Sequence, residues 1–575
     1  MMKLLNDSGS DHPVFTAGGK GLGREGLWVL LILLGFGVCQ SIIFFGYFPV
    51  PNPDFTQFLQ TGRELISLRV PSSFNRGPLY SIILAGLSRI LGGEYPELRA
   101  GWIVNAVLHP LNLVLIWLIS REIIGRAAVW IALLAAVNPW VIMTLALPLA
   151  ETTLVFFILA TYWCLWRGSR WAYFFAACAS LVRYEAAFLI PVVLIVDLRS
   201  ASPRRRFRPL LRSFLASLSL TVWMLGTILH WAYESQNHYV TRLMPLTWER
   251  LTRALLFLWQ AVFFPLVTSH PDQPIAAVPF IFVLWRIAAA AAFGLGIFFA
   301  LRRREGKVGL LLVFAFPYFI IHVVYMYMVR RFYVPVSWII LVICWYGIRS
   351  GWETVCRRLR PPRIITELLT FLILILGCLR LVELFPCLPA AACMSPASAP
   401  LFWIFLAVII LLTLLCLKPF RLRIFTVALV AAVWVLSLGL SNQMILSRHL
   451  GTGSRRSEFK ALGEWYAARA RPGDKLAVYL YDLVGYLSSG SLGPVVKFPP
   501  GDNPRQFADA CREEGITYLV WASREGKKKN NPVYIRLGLD KNLDQLSKPR
   551  SVGPYEFVVQ LRGERGHLNI FRISP

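Results

Sequence analysis

A group of ionisable side chains lies at the edges of long apolar stretches, where a charge is costly. Its members are Asp54, Arg76, Glu151, Arg183, Glu185, Arg330 and Arg331. Ionisable residues in such places usually face a water-filled cavity or a ligand. Their types indicate two kinds of chemistry. A carboxylate can take a proton from an attacking hydroxyl, and arginine can bind the oxygen atoms of a phosphate.

Asp54 follows the first apolar stretch and precedes a segment with helical spacing at Phe55, Phe58 and Leu59. Its carboxylate could cap that helix by accepting free backbone N–H groups. It could also act as a general base, and one carboxylate can serve both purposes. We favour the catalytic role and keep capping as the alternative.

Three arginines are candidates for binding an anion. Arg76 precedes the segment Gly-Pro-Leu-Tyr at residues 77–80, and it could either snorkel to the membrane surface or bind phosphate. Arg330 and Arg331 are expected on the outer side of the membrane, where basic clusters are unusual. An anionic ligand would explain them, because the planar guanidinium matches the geometry of phosphate oxygens.

Glu151 begins an apolar stretch after Pro148, where a negative charge also favours a helix N-terminus. Arg183 and Glu185 lie two residues apart and could simply pair with each other. For these three residues the sequence leaves a structural role and a substrate-binding role both open.

The chain that must position these residues is a membrane protein. Of its 575 residues, 56% are hydrophobic, against about 45–50% in soluble proteins. Its net charge of +28 comes largely from short loops between apolar runs and has no nucleic-acid-binding motif beside it. We therefore expect membrane lipids as surroundings and exclude nucleic acid as a partner.

We predict a polytopic α-helical fold with about 13 membrane spans. They cover residues 27–48, 99–119, 127–147, 150–166, 171–187, 187–198, 211–232, 276–300, 309–328, 333–348, 364–385, 400–417 and 424–441. With the N-terminus in the cytoplasm, every connection on that side is basic, as the positive-inside rule requires. The location is therefore the cell membrane, in a multi-pass arrangement.

The run at residues 77–91 is too short for a span. Counting it as one would move every basic connection outside, so we place it at the membrane interface. It shares the first outer loop, residues 49–97, with a helix predicted at 55–68. Residues 233–275 and 386–399 are read as further outer loops, and Cys387 and Cys393 in the latter could form a disulfide.

The two ends of the chain differ from the middle. Residues 1–26 are polar and Gly-rich, which predicts a disordered cytoplasmic tail. Residues 27–441 form the transmembrane domain, and residues 442–575 form a small extracytoplasmic α/β domain. In that domain we predict helices at 458–469 and 505–514 and strands at 475–481, 517–521, 556–561 and 568–573. The sequence shows no metal-ligand set and no cofactor motif, and it leaves a divalent metal open.

Several of these segments, in their order and on one side of the membrane, resemble the GT-C membrane glycosyltransferases. The similar group is that of the protein O-mannosyltransferases and aminoarabinose transferases, glycosyltransferase family 39 and its relatives. The segments are Pro53-Asp54, Asn75-Arg76-Gly77-Pro78-Leu79-Tyr80, Pro148-Leu149-Ala150-Glu151, Leu181-Val182-Arg183-Tyr184-Glu185 and Arg330-Arg331-Phe332-Tyr333-Val334-Pro335. The resemblance covers about residues 27–350. Gly77 stands where the family often has proline, and no second acidic residue follows Asp54.

The resemblance implies an enzyme that moves a sugar from a polyprenyl phosphate to an acceptor hydroxyl outside the cytoplasm. The acceptor would be a protein, a lipid or a glycan. Asp54 would be the general base, and attack opposite the phosphate would invert the anomeric carbon. Arg76, Arg330 and Arg331 would bind the donor phosphate. The residues expected at the substrate are Tyr80, Glu151, Arg183, Glu185 and Tyr333.

The main alternative is a polyprenyl-lipid flippase or another membrane transporter. Transporters often show internal repeats and helices broken near the midplane. This sequence shows no repeat, and its polar residues gather at one face. A non-catalytic scaffold would leave the outer arginines unexplained.

Overall fold

The computed structural model describes residues 23–233, 244–263, 279–325, 329–359, 456–488, 492–499, 504–522, 555–563 and 567–573. The chain divides into two compact units. The first contains Met1–Phe45 and Thr61–His449, and the second contains Gly46–Gln60 and Leu450–Pro575. The predicted spans at 364–385, 400–417 and 424–441 lie outside the described residues, as do Cys387 and Cys393.

The described part of the first unit is almost entirely helical. Its helices, with α2 reaching into the second unit, are α1 Arg24–Phe44, α2 Pro53–Ile66, α3 Pro78–Leu91, α4 Pro96–Ile124, α5 Ala128–Ala136, α6 Pro139–Ala146, α7 Glu151–Trp166, α8 Trp171–Val182, α9 Leu189–Ser200, α10 Phe207–Tyr233, α11 Trp248–Phe263, α12 Pro279–Arg302, α13 Gly306–Val324 and α14 Val334–Leu359. Short 3-10 turns follow α4, α8 and α9, and another precedes α14.

Long apolar helices confirm a multi-pass membrane protein. Within the described ranges, five helical stretches are long and apolar enough to cross a bilayer: Arg24–Phe44, Pro96–Ala136, Pro203–Leu229, Gly306–Val324 and Arg330–Arg357. A sixth is added if α6 and α7, which meet at 114°, count as one broken span. The predicted total of about 13 also involves residues outside these ranges, and it stays a prediction.

The chain turns back after α4. Gly125 there has a φ of +67°, a value that glycine adopts without steric strain. Gln40 Nε2 donates to the Ala136 carbonyl at 2.9 Å, and Gln40 Oε1 lies 2.8 Å from His109 Nε2. A straight helix would carry Ala136 about 40 Å beyond His109. Within the stretch Pro96–Ala136, α4 alone can therefore be a straight span. Helix α5 returns along α4, and buried polar side chains fasten the two helices to α1.

The region 233–275, read as an outer loop, contains helix α11, which the sequence interpretation did not include. The helix buries Ala254 and Ala261 against Val323 and Tyr333. Its Arg250 donates to the carbonyl of Val323 at 3.1 Å and also to that of Tyr325. These carbonyls are the ones that a helix end leaves without an internal partner, so α11 caps the end of α13.

The second unit is a mixed α/β domain, as predicted. Its helices are α15 Ser457–Arg469, α16 Tyr481–Leu487 and α17 Pro504–Glu513, and its strands are β1 Leu476–Ala477, β2 Val495–Val496, β3 Tyr518–Ala522, β4 Tyr555–Arg562 and β5 His567–Ile573. The sheet order is β2-β1-β3-β5-β4. Strand β1 pairs in parallel with β2 and β3, and β5 is antiparallel to β3 and β4.

The strand predicted at 475–481 is mostly wrong, because only Leu476–Ala477 pair and α16 begins at Tyr481. The sheet buries Phe507 and Cys511 of α17 together with Trp521 and Phe571. This apolar layer is the core of the second unit.

Candidate active site

The sharp bend between α6 and α7 sets the position of Glu151. The bend leaves carbonyl groups at the end of α6 without helical hydrogen-bond donors. The side-chain amide of Asn105 on α4 donates to them instead. Its Nδ2 lies 2.9 Å from the Thr144 carbonyl and 2.9 Å from that of Leu147. Asn112 donates to the Thr152 carbonyl at 3.0 Å. Two buried asparagines of one helix therefore hold the segment in which Glu151 begins α7.

Arg183 lies at the centre of a buried cluster of charges. Its Nη1 is 3.3 Å from Glu151 Oε1. On its other side, Nη2 and Nε approach the two oxygens of Glu185 at 3.0 and 3.4 Å. Glu151 is 2% exposed, Glu185 8% and Arg183 9%. An arginine fork that engages a carboxylate through two nitrogens is geometrically specific, so the local pair predicted from sequence exists and also extends to Glu151.

Two further basic residues, Arg331 and His322, complete this cluster. Arg331 Nε lies 3.5 Å from Glu151 Oε1, and His322 Nε2 lies 3.5 Å from Glu185 Oε1. The guanidinium of Arg183 lies over the ring of Phe332, with 4.5 Å between Cζ and the ring centroid. Basic and acidic residues thus alternate from His322 through Glu185, Arg183 and Glu151 to Arg331.

Arg330 has different surroundings from its neighbour Arg331. Its guanidinium lies 5.7 Å from the Trp140 ring of α6 and 5.4 Å from the Phe257 ring of α11. Within the described part of the chain, Arg330 has no carboxylate at ion-pair distance, and its Nε is buried without a hydrogen-bond partner. Aromatic faces stabilise a cation without neutralising it. The side chain of Arg330 is therefore half-buried, and no acidic residue in the described ranges offsets its positive charge.

The segment that carries Arg76 is docked onto the end of α8. A Cβ added to Gly77 would lie 2.3 Å from both the Leu181 and the Val182 carbonyl oxygens. The Phe74 carbonyl accepts a hydrogen bond from the Tyr184 hydroxyl, which in turn accepts one from Trp223 Nε1 at 2.9 Å. The backbone before α3 is thus fixed against the segment that holds Arg183. Only glycine permits this approach without a shift of the backbone.

The two predicted tyrosines differ in their surroundings. Tyr80 of α3 is fully buried, and burial, followed by the negative charge of Glu151, raises the pKa of its hydroxyl well above the usual value. The Tyr80 hydroxyl therefore keeps its proton, and the charge of Glu151 acts on it. Tyr333 packs into the hydrophobic cluster between α11 and α13, a position suited to holding those helices together.

Asp54 belongs to the second unit, in the first turn of α2. The cap of this helix is Asn52, because Asn52 Oδ1 accepts the backbone N–H of Asp54 at 3.0 Å. Thr56 Oγ1 also donates to the Pro53 carbonyl at 2.8 Å. Capping therefore does not need the Asp54 carboxylate, although its charge still suits the N-terminal turn.

The sequence interpretation did not include His322, Phe332 or Trp140 as site residues. The structure brings together Glu151, Arg183, Glu185 and Arg331 of the predicted set, and it adds His322 to them. Among the described residues, no group of three or more His, Cys, Asp or Glu side chains could hold a metal ion.

Comparison with solved structures gives the fold. ArnT from Cupriavidus metallidurans in the apo state superposes with a TM-score of 0.53 at 14% identity, over 95% of this chain and 98% of that one. ArnT bound to undecaprenyl phosphate gives a TM-score of 0.52 at 14% identity with the same coverage. The chain has the GT-C fold.

A third GT-C structure is the Archaeoglobus fulgidus oligosaccharyltransferase tethered to an acceptor peptide through a disulfide bond. It gives a TM-score of 0.50 at 11% identity, over 92% of this chain and 72% of that one. No protein-family model matches the sequence, and no curated protein matches it. The GT-C relationship is therefore visible in the path of the chain and not in its overall sequence.

Proposed function

We propose that this GT-C protein is a glycosyltransferase that moves a sugar from a polyprenyl-phosphate donor to an acceptor hydroxyl on the extracytoplasmic side of the membrane. The observation that carries the proposal is Arg330, which has no carboxylate at ion-pair distance among the described residues and lies in the same 3-10 turn as Arg331 of the buried cluster. A fixed cation of this kind suits a leaving group on which negative charge increases.

The fold supports the choice of donor. A GT-C neighbour of this chain has been solved with undecaprenyl phosphate, and another with an acceptor peptide. A lipid phosphate reaches a protein from within the bilayer. The long apolar helices of the first unit are suited to such a membrane environment. Two parts of the proposal, the transferred sugar and the hydroxyl acceptor, rest on the resemblance of the site segments to those of GT-C membrane glycosyltransferases.

In the proposed reaction, the acceptor oxygen attacks the anomeric carbon from the side opposite the phosphate. The bond from that carbon to the phosphate oxygen breaks, and the electron pair leaves with the lipid phosphate. Asp54 takes the proton of the acceptor hydroxyl as general base, while Arg330 and Arg76 stabilise the released phosphate. The anomeric configuration is inverted, and the products are the glycosylated acceptor and the free polyprenyl phosphate.

Glu151 has another task in this scheme. Its carboxylate is already paired with Arg183 and Arg331 through Oε1. The remaining lone pairs can accept hydrogen bonds from a sugar or acceptor hydroxyl. Arg183 and Glu185 would then hold Glu151 in place, and Tyr80 would donate a hydrogen bond beside it.

The experiment is to incubate the purified full-length protein with a panel of labelled polyprenyl-phosphate sugars and measure release of lipid phosphate. Asp54→Asn should abolish release while the protein stays folded. The matched control is Asp197→Asn, which changes a carboxylate paired with Arg212 and should leave release unchanged. Release by the Asp54 variant at the wild-type rate would exclude Asp54 as the base.

The same variant separates a transferase from a flippase. In vesicles, a lipid flippase would still move labelled polyprenyl phosphate after Asp54→Asn, and neither the wild-type protein nor the variant would release sugar.

A reporter fused after residue 442 would test the orientation, because we propose that the N-terminus is cytoplasmic and the C-terminal domain lies outside.

A further inference from the structure

His322 is a buried residue of α13 that the proposed reaction does not use. Its side chain is 1% exposed. One ring nitrogen, Nδ1, lies 2.7 Å from the Tyr318 carbonyl one turn earlier in the helix. The other, Nε2, lies 3.5 Å from Glu185 Oε1. Both nitrogens therefore face oxygen atoms that can only accept a hydrogen bond.

The imidazole presents a different nitrogen to each oxygen. Nδ1 is at hydrogen-bond distance from the Tyr318 carbonyl, and Nε2 lies at ion-pair distance from Glu185. Aromatic rings surround the imidazole, since the centroids of Tyr318, Phe332 and Tyr333 lie 4.6, 5.4 and 5.7 Å from that of His322. Close packing of this kind restricts the movement of the ring.

The position of Glu185 determines the position of Arg183. Glu185 accepts from both Nη2 and Nε of the guanidinium, and this grip fixes the plane of the fork. With the plane fixed, Nη1 points at Glu151. A shift of the Glu185 carboxylate would therefore rotate the fork and release Glu151. His322 is the contact that holds Glu185 from the side of α13.

We infer that His322 is a positioning residue that orients Glu151 through Glu185 and Arg183. The inference rests on the proposed function, in which Glu151 contacts a sugar or acceptor hydroxyl. It assigns His322 no contact with the substrate. Its effect should therefore appear in turnover, through misplacement of Glu151, and leave the affinity for the donor lipid nearly unchanged.

A double-mutant cycle tests this. His322→Leu and Glu185→Gln should each lower kcat for sugar transfer about tenfold, with little change in donor KM. In the double variant kcat should also fall about tenfold, and not about a hundredfold, because the two residues act in one chain of contacts. His322→Gln, which retains an N–H donor, should recover most of the lost turnover. Losses that multiply, or a rise in donor KM alone, would overturn the inference.

The matched control is His109→Gln. His109 is also a fully buried histidine of a long helix, but its partner is the neutral amide of Gln40. Its replacement should leave kcat unchanged, which separates positioning of Glu151 from general loss of a buried histidine. An equal fall in kcat in this control would contradict the inference.

Unfolding temperatures of the same cycle provide a test without catalysis. The contact predicts that the effects of His322→Leu and Glu185→Gln on unfolding are not additive. If the wild-type protein transfers no sugar from any donor, the proposed function fails while this coupling remains. Additive shifts in an active enzyme would instead overturn the role of His322 alone.

Discussion

Arg183 and Glu151 are 32 residues apart in the sequence, yet Arg183 Nη1 lies 3.3 Å from Glu151 Oε1 in the interior of the first unit. One guanidinium thereby joins the start of α7 to the turn after α8. A buried pair of this kind contributes little net stability compared with apolar residues, but removing one partner leaves the other charge stranded. Replacement of Arg183 would leave two buried carboxylates, those of Glu151 and Glu185, without this partner.

Replacement of Arg183 by Met should therefore destabilise the protein strongly. We expect a loss of about 3–5 kcal/mol in the free energy of unfolding, measured by thermal or denaturant unfolding of the solubilised protein. Arg212→Met is the control, since its pair with Asp197 is partly exposed and such pairs contribute less than about 1 kcal/mol. Equal losses in the two variants would show that the cluster is not desolvated as the structure indicates.

Gly77→Ala should misplace the segment that carries Arg76. The new methyl group would meet two backbone carbonyls at 2.3 Å, so either α8 or the segment must move, at a cost of about 1–3 kcal/mol. Donor-dependent phosphate release should fall as well. Gly86→Ala is the control on α3, where the nearest atom, Ile66 Cδ1, is 3.9 Å away. That substitution should stabilise the helix by about 0.5–1 kcal/mol.

Arg330 and Arg331 should respond differently to the same substitution, although they are adjacent. Arg330→Gln removes a cation with no carboxylate partner among the described residues, so stability should hold while donor KM rises about tenfold or more. Arg331→Gln removes an ion pair of Glu151 and should lower stability and kcat. Kinetics with varied donor lipid measure the difference. If donor KM rises only in the Arg331 variant, the assignment of the phosphate to Arg330 is wrong.

Cys511 should be inert to alkylation in the folded protein. Burial, with the negative charge of Glu514 as the second cause, raises the pKa of its thiol to about 12. At pH 8 only about one thiol in ten thousand would then be ionised, and the thiolate is the reactive form. Mass spectrometry after maleimide treatment should find Cys511 unmodified until denaturant is added, while the partly exposed Cys356 reacts first. Rapid labelling of Cys511 in native protein would contradict its place in the core of the second unit.

Hydrophobic patterning predicted much of the architecture. Residues 77–91 read as a short interfacial helix, and α3 spans Pro78–Leu91. Helix α11 was missed because its apolar positions are interrupted by Glu249, Arg250 and Arg253, so a search for long apolar runs passes over it. The spacing of Ala254, Leu258 and Ala261 was a usable signal for a helix with one buried face.

The site was predictable only in part, for a physical reason. Residue type and the predicted side of the membrane selected Glu151, Arg183, Glu185 and Arg331, but of their contacts only the Arg183–Glu185 pair was foreseen. His322 has no local signal, because its partner Glu185 is distant in the sequence and meets it only when α13 packs beside the turn after α8. Nor does sequence separate Arg330 from Arg331. The 3-10 turn directs one toward aromatic rings and the other toward Glu151.

The close approach of Gly77 to α8 also has an evolutionary consequence. A proline or any larger residue at this position requires the end of α8 to lie farther away, so position 77 and the packing of Leu181 and Val182 cannot change independently. Chains that share this feature should keep glycine together with a tightly seated α8, and chains with proline should have a displaced one. Position 77 and the end of α8 therefore behave as one coupled feature of the fold.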